Sequence, residues 1–225
     1  MAGMNDLGKS SQYRLTAAKT VREADGRKHR SQKSQTLIVN ALLELVAKGN
    51  LAPSADQIAD AAKVGRRSVF RHFNDMDTLY REMSHSIAAT TQMILQRPLT
   101  AADWRGQVLE LVDRRSAGFE KMKPFLLAGR IQRHRSAYLK SAHAKFVGLL
   151  REVLTGILPE DVLRDAVLVE ALNMLLSFEA WNRLRDDQGL SVAKAKHVLK
   201  QTIEALLQCH AREASGRPAV RVASG

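Results

Sequence analysis

The run from Ser54 to Phe73, SADQIADAAKVGRRSVFRHF, leaves the chain little choice of local structure. Ser54 is a good helix N-cap. Gln57, three residues on, completes a capping box in which the serine oxygen accepts from the N3 amide and the glutamine reaches back to the cap. Asp56 suits the positive end of the helix dipole. Ile58, Ala61 and Ala62 give this helix an apolar side, and Ala59 is small enough for another helix to cross close by. Lys63-Val64-Gly65 reads as a tight turn, with Val64 as the plug beneath it and Gly65 capping a second helix from Arg66 to about His72. At about 100° per residue, Val69 and Phe73 share an inward face. Arg67, Ser68, Arg71 and His72 fall on the opposite arc, with Arg66 and Phe70 at its edge. A charged face taken alone is most often a solvated one. A capped helix, a tight turn and a basic second helix together have the chemistry of a DNA-reading helix-turn-helix. There arginine bonds guanine O6 and N7, while serine and histidine reach phosphates.

The residues around this run extend the pattern. Ser34 can cap a preceding helix in which Ile38, Ala41, Leu42, Leu45 and Val46 recur on one face, and Gly49 stops it. That face is expected to close a three-helix core on Ile58, Val69 and Phe73. Asn74 or Asp75 caps a fourth helix, running to about Gln96 ahead of Pro98, with Leu79, Met83 and Ile87 inward. It begins beside the second helix and ends in the rest of the chain, so it is the natural lever between two domains.

Ile38 to Leu79 resembles the DNA-binding domain of the TetR family of transcriptional regulators. The run Ala62-Lys63-Val64-Gly65-Arg66-Arg67-Ser68-Val69-Phe70-Arg71-His72-Phe73 stands against that family's A-G-V-S-x-x-T-L-Y-x-H-F. The resemblance implies that Ser54, Arg66, Arg67, Ser68, Phe70 and His72 occupy positions that meet DNA; the arc above adds Arg71. Three residues depart from the pattern. Lys63 replaces the turn glycine, which puts a side chain where positive φ is expected, at a cost of about 1 kcal/mol. Phe70 replaces a tyrosine and brings no hydroxyl for a phosphate. Met76 stands where the family often has a lysine on the backbone.

Charge agrees with a nucleic-acid partner. Lys and Arg number 35 against 23 Asp and Glu, a net +12 over 225 residues with a pI near 10.2. Such an excess favours an anionic partner without choosing between DNA and another anionic surface. Cys209 is the single cysteine, so no internal disulfide forms. No Cys/His cluster has metal spacing, and no metal or other cofactor is expected. No apolar run is long enough for a membrane span, and the N-terminus lacks a signal-peptide core. A cytoplasmic protein with no membrane partner is expected.

The organisation expected is a basic, disordered arm over residues 1–33, a helix-turn-helix domain over 34–80, a helical regulatory and dimerisation domain over 81–210, and a flexible tail over 211–225. The arm either adds phosphate contacts or is merely solvated; the sequence leaves both open. From Ala101 on, helical periodicity continues without hairpin alternation, so the fold class expected is all-α. Helices are predicted from Trp104 to about Met122, from Pro124 to about Arg133, from Ser136 to Leu158, and from Pro159 to about Arg185. A final helix follows Ser191. The helix after Pro159 carries two stripes, one of Leu163, Val167, Ala171, Met174, Phe178 and Trp181, the other of Leu168, Leu172 and Leu175. A helix apolar on two sides must be covered on two sides, one of them by a second subunit. With the last helix it would make a four-helix homodimer interface through Trp181, Leu199, Thr202 and Leu206.

No catalytic constellation is present: no GxSxG, no phosphate-cradling glycine loop, no HExxH and no CxxC, so an enzyme is not expected. A small-molecule effector is implied by the resemblance, since such regulators bind one between helices of the second domain. Plausible lining is Phe119, Met122, Phe125, Phe146, Asn173, Met174 and Phe178; the apolar ones are more often ordinary core, and Asn173 falls on a polar stripe that reads more readily as the wet edge of its helix. The function expected is a ligand-responsive DNA-binding regulator, a repressor reading a palindromic operator in double-stranded DNA as a dimer. The alternative is a non-sequence-specific, architectural nucleic-acid binder.

Overall fold

The computed structural model describes residues 31–95 and 97–216. The expected arm, apart from residues 31–33, and the chain beyond residue 216 lie outside the described residues. Among the described residues every regular element is helical, giving the all-α fold expected. The elements in order are α1 (31–47), α2 (Ala55–Ala62), α3 (Arg66–His72), α4 (Met76–Leu95), α5 (Trp104–Arg133), α6 (Ala137–Thr155), α7 (Glu160–Leu163), α8 (Ala166–Leu175), α9 (Phe178–Asn182), a π-helical turn (Arg183–Asp187) and α10 (Val192–Gly216).

Two apolar cores organise them. The head core gathers Ile38, Leu42 and Val46 of α1, Ile58 and Ala62 of α2, Val69 of α3, Phe73, and Leu79, Tyr80 and Met83 of α4. Ala128 of α5 and Leu139 of α6 join the same cluster, so the head is seated on the α5–α6 corner of the body. Tyr80 is buried there, which pushes its phenol pKa up, and its hydroxyl meets the Gln132 side chain. The body core takes Val108, Leu111, Val112 and Phe119 of α5, Leu150 and Leu154 of α6, Leu168, Val169 and Leu172 of α8, Trp181, and Ala195, Leu199, Ile203 and Leu207 of α10. Fully burying each of the Val, Leu, Ile, Phe and Met side chains among them stabilises by roughly 1.5–3 kcal/mol.

The helix boundaries correct several expectations. Residues 31–33 are already helical, so Ser34 lies inside α1 and does not cap it. On α2 the inward residues are Ile58, Ala59 and Ala62, and Ala61 faces solvent. Trp104 to Arg133 is one helix with Pro124 inside it. Proline removes a helical N–H and normally ends or kinks a helix. Here Phe119 is anchored in the body core and Ala128 in the head core, so both flanks of Pro124 are held by packing. The single helix expected from Pro159 to Arg185 is instead α7, α8, α9 and the π turn. Asp165 caps α8, accepting from the Leu168 amide at 3.0 Å, and Ser177 caps α9, accepting from the Ala180 amide at 3.1 Å. Two N-cap side chains within the apolar run restart the helix at new angles. The last helix runs on to Gly216, into the stretch expected as tail.

Charged pairs tie α5 to the elements around it. Asp113 receives Lys200 at 2.6 Å and Lys196 at 3.2 Å, both from α10. Glu120 receives Arg185, and Lys123 pairs with Asp186. Among the described residues no helix is long and apolar enough to cross a membrane.

Candidate nucleic-acid interface and effector cavity

The α2–turn–α3 unit forms for the local reasons its sequence suggests. Ser54 Oγ accepts from the Gln57 amide at 3.2 Å, and the Ser54 amide donates to Gln57 Oε1 at 2.9 Å. Asn50 Nδ2 also donates to that oxygen, at 3.2 Å, bracing the end of α1 against the start of α2. At the other end Val64 N–H closes on Ala59 O at 3.0 Å and Lys63 N–H on Asp60 O at 3.1 Å. This closure needs a left-handed residue. Lys63 supplies it at φ 54, ψ 42, where the TetR-like pattern has glycine. Gly65 then caps α3 without a side-chain bond.

On α3, Val69 and Phe73 are buried and the opposite arc is open. Arg66, Arg67, Phe70 and Arg71 are exposed; Ser68 and His72 are half-buried. The arginines differ in what holds them. Arg66 Nη1 reaches Asp56 Oδ2 at 3.3 Å, and its guanidinium lies over the Phe70 ring at 5.7 Å. Arg71 Nη2 donates to Ser68 Oγ at 3.4 Å. Arg67 forms no ion pair or side-chain hydrogen bond among the described residues, so it can reach a base edge without breaking a contact. Desolvation first and Arg71 second hold the His72 imidazole below its ordinary range. It is therefore neutral at pH 7 and can offer DNA a hydrogen bond but no charge. Ser54 is exposed at the start of α2, and Asp75 caps α4, accepting from the Thr78 amide at 2.7 Å and its hydroxyl at 2.8 Å. Met76 packs against the head core.

Behind the head lies a cavity of about 310 Å³ between α4, α5 and α6. Met122, Phe125 and Phe146, three of the lining residues expected, line it. Phe146 also lines an adjoining lobe of about 100 Å³, together with Asn173, Met174 and Phe178. Met174 is 62% exposed and faces solvent more than the lobe. Phe119 lines neither space; it is buried in the body core, edge-on to Phe178 at 5.6 Å. Sequence reasoning missed the α4 wall of Met83, His85 and Ile87, and also Tyr138, His143, Arg133 and Arg115. Only Arg115 carried a signal, an arginine placed between Leu111 and Phe119 on an apolar stripe. Arg81 pairs with Asp77 at 2.8 Å and lies over the Tyr138 ring at 5.2 Å, and His85 meets the same ring edge-on at 5.4 Å.

Two of the residues expected at a dimer interface belong elsewhere. Trp181 is 1% exposed and Leu199 5%, both in the body's own core. The buried register of α10 is Ala195, Leu199, Ile203 and Leu207, not the row through Thr202 and Leu206. Thr202 is exposed and Leu206 half-buried. Several apolar side chains are left in solvent, among them Leu163, Val167 (80% exposed) and Met174 along α7 and α8, and Val198 on α10.

A capped helix-turn-helix with an open arginine face is seated on an all-helical body beside a cavity of about 310 Å³. Residues 38–83 match the family model for bacterial regulatory proteins of the tetR family. Residues 38–83 are thus similar to a TetR-type DNA-binding domain, which supports a DNA-binding transcriptional regulator. The chain also resembles a solved structure. The crystal structure of NalD, the secondary repressor of the MexAB-OprM multidrug efflux pump in Pseudomonas aeruginosa, is similar with a TM-score of 0.55 and 23% identity. The match covers 79% of this chain and 96% of that one. At that identity the likeness establishes the fold alone. No curated protein matches by sequence.

Proposed function

We propose that this protein is a dimeric, effector-responsive repressor that reads a palindromic operator. The observation that carries the reading is the position of Met83. It is buried in the head core with Val69 and Phe73, and it also lines the cavity between α4, α5 and α6. A molecule filling the cavity must touch α4, whose Leu79, Tyr80 and Met83 share the head core with Val69 of α3. An effector acts on DNA binding only through a difference in affinity between DNA-competent and DNA-incompetent arrangements. A cavity wall shared with the head core supports such a difference.

In this reading α3 enters the major groove. Arg67 contacts base edges, while Ser54, Arg66, Ser68, Phe70, Arg71 and His72 position the head on sugar and phosphate. The exposed row Leu163, Val167 and Met174, with Val198 and Thr202 of α10, would be covered by the same row of a second copy. A two-fold pairing of this kind sets two heads on a palindrome. Repression rather than activation is supported by the fold-level likeness to a repressor.

The test is selection of genomic fragments by the purified full chain at near-physiological salt, followed by sequencing. Recovery of an inverted repeat is the expected result. Recovery without a motif would replace this reading with general, architectural binding driven by net charge.

A further inference from the structure

The cavity behind the head has two lobes of unlike chemistry. The larger is walled by apolar and aromatic side chains, among them Ile87, Phe125, Tyr138 and Leu149. The smaller adjoins it across Leu126, Arg133, His143 and Phe146, which line both. It brings together Arg115, Arg133, His143, Asn173, Ser177 and Glu179.

Charge in the small lobe is unbalanced. Arg115 is 4% exposed. It donates through Nη1 to Leu176 O at 3.1 Å and through Nη2 to Leu150 O at 2.5 Å. Its Nε has no hydrogen-bond partner, and no carboxylate pairs with it among the described residues. Burial pulls its pKa down to about 10, which leaves it charged at pH 7. Arg133 forms no ion pair among the described residues either. Burial first lowers its pKa, Glu179 opposes that from a distance without closing to ion-pair range, and Arg130 adds to the lowering. His143 is held below the ordinary imidazole range by burial first and Arg133 second, so it adds a hydrogen-bonding group and no charge at pH 7. Two guanidiniums thus face one exposed carboxylate. Two carbonyls explain how Arg115 staples α6 and α8 to α5; they do not explain Arg133 or the unpartnered Nε. An unpaired charge in a desolvated site is costly, and an arriving carboxylate answers it with two-point, charge-assisted bonds.

We infer that the effector is an amphipathic organic anion, its apolar body in the large lobe and its carboxylate in the small lobe against Arg115 and Arg133. This rests on the reading of the cavity as the effector site.

Two matched probe sets test it by calorimetry on the full chain: 2-naphthylacetate with its alcohol and amine counterparts, and decanoate with decanol and decylamine. In at least one set the acid should bind about tenfold or more tighter than its alcohol and amine. Arg133→Gln should abolish that preference while leaving alcohol binding unchanged. Arg133 is half-buried at the lobe wall, so this variant tests the charge without removing Arg115 from the core. An alcohol or amine that binds as tightly as the acid in both sets would overturn the anion assignment and leave the cavity as a binding site. An acid preference that survives Arg133→Gln would also overturn it. No binding from either set, or binding that persists when Ala142→Trp fills the large lobe, would overturn the cavity reading itself.

Discussion

The indole Nε1 of Trp181 donates to Glu120 Oε1 at 2.9 Å, and the same oxygen accepts from Arg185 Nε at 2.9 Å. One carboxylate on α5 therefore holds both α9 and the π turn that follows. The Arg185 bond first, then the Trp181 bond, keep the Glu120 carboxyl below the ordinary glutamate range against partial desolvation. A depressed acid contributes stability that is present above its unfolded pKa, about 4.3, and lost as pH falls through the lower folded value. Glu120→Gln keeps an oxygen for the indole and removes the charge. The side chain is 32% exposed, so solvent screening limits the loss at pH 7 to on the order of 1 kcal/mol. Urea midpoints should show that gap at pH 7 and its closure below about pH 4. An equal gap at both pH values would mean that the charge plays no part.

Lys63 is the one non-glycine residue at positive φ among the described residues. The left-handed conformation costs an L-residue roughly 1–2 kcal/mol, while glycine costs roughly 0.4–1 kcal/mol more chain entropy on folding. Strain outweighs the entropy, so Lys63→Gly should raise stability by about 0.5 kcal/mol or somewhat more. Lys63→Val, branched at Cβ, should lower it by more than about 1 kcal/mol. Thermal midpoints of the full chain give the order. Glycine ranking below lysine would rule out strain at this turn.

Arg67 and Arg66 differ in their freedom, and the difference should appear in base specificity. Arg67→Ala should lose about 1–3 kcal/mol at particular base pairs. Arg66→Ala should lose less, and evenly over sequences, because its guanidinium is already shared with Asp56 and the Phe70 ring. Binding to a library of single-base-pair operator variants at fixed salt separates the two patterns. Even weakening from Arg67→Ala would favour the architectural alternative.

The head is legible in the sequence because its rules are local. Ser54 and Gln57 cap each other, and Gly49 ends α1 at φ 94. Val69 and Phe73 are buried as a helical period requires. The body is legible in class and not in detail, because the interactions that decide it are long-range. Pro124 reads locally as a helix break; it sits mid-helix because two different cores hold its flanks. Asp165 and Ser177 read as polar positions on a long helix. Their role as caps becomes visible only when the chain turns there to pack α8 on α6 and α10, and α9 on α5. Trp181 reads as an interface anchor on its stripe. Once the helix breaks at Ser177, Trp181 no longer shares a face with Val167, and it turns inward to Glu120. The cavity wall is least legible, since His85, Arg133 and His143 come from three helices with no shared spacing.

That break also decides which variant tests dimerisation. Val167 is 80% exposed, so Val167→Asp removes nothing from the protomer core and should lower the thermal midpoint only by the concentration-dependent stabilisation that pairing supplies. If α8 and α10 form the interface, two buried aspartates would face each other across the two-fold axis, each unpaired and desolvated. Sedimentation should then report a protomer of half the native mass. Affinity for an inverted repeat should fall to that of a single head, because the second head no longer binds at high effective concentration. Trp181→Ala should behave in the opposite way. It should cost about 3–5 kcal/mol of protomer stability by opening a cavity in the body core, with the loss independent of protein concentration. A Val167→Asp variant that stays dimeric would move the interface off this face, and the unpartnered row of Leu163, Val167 and Met174 would then need another cover.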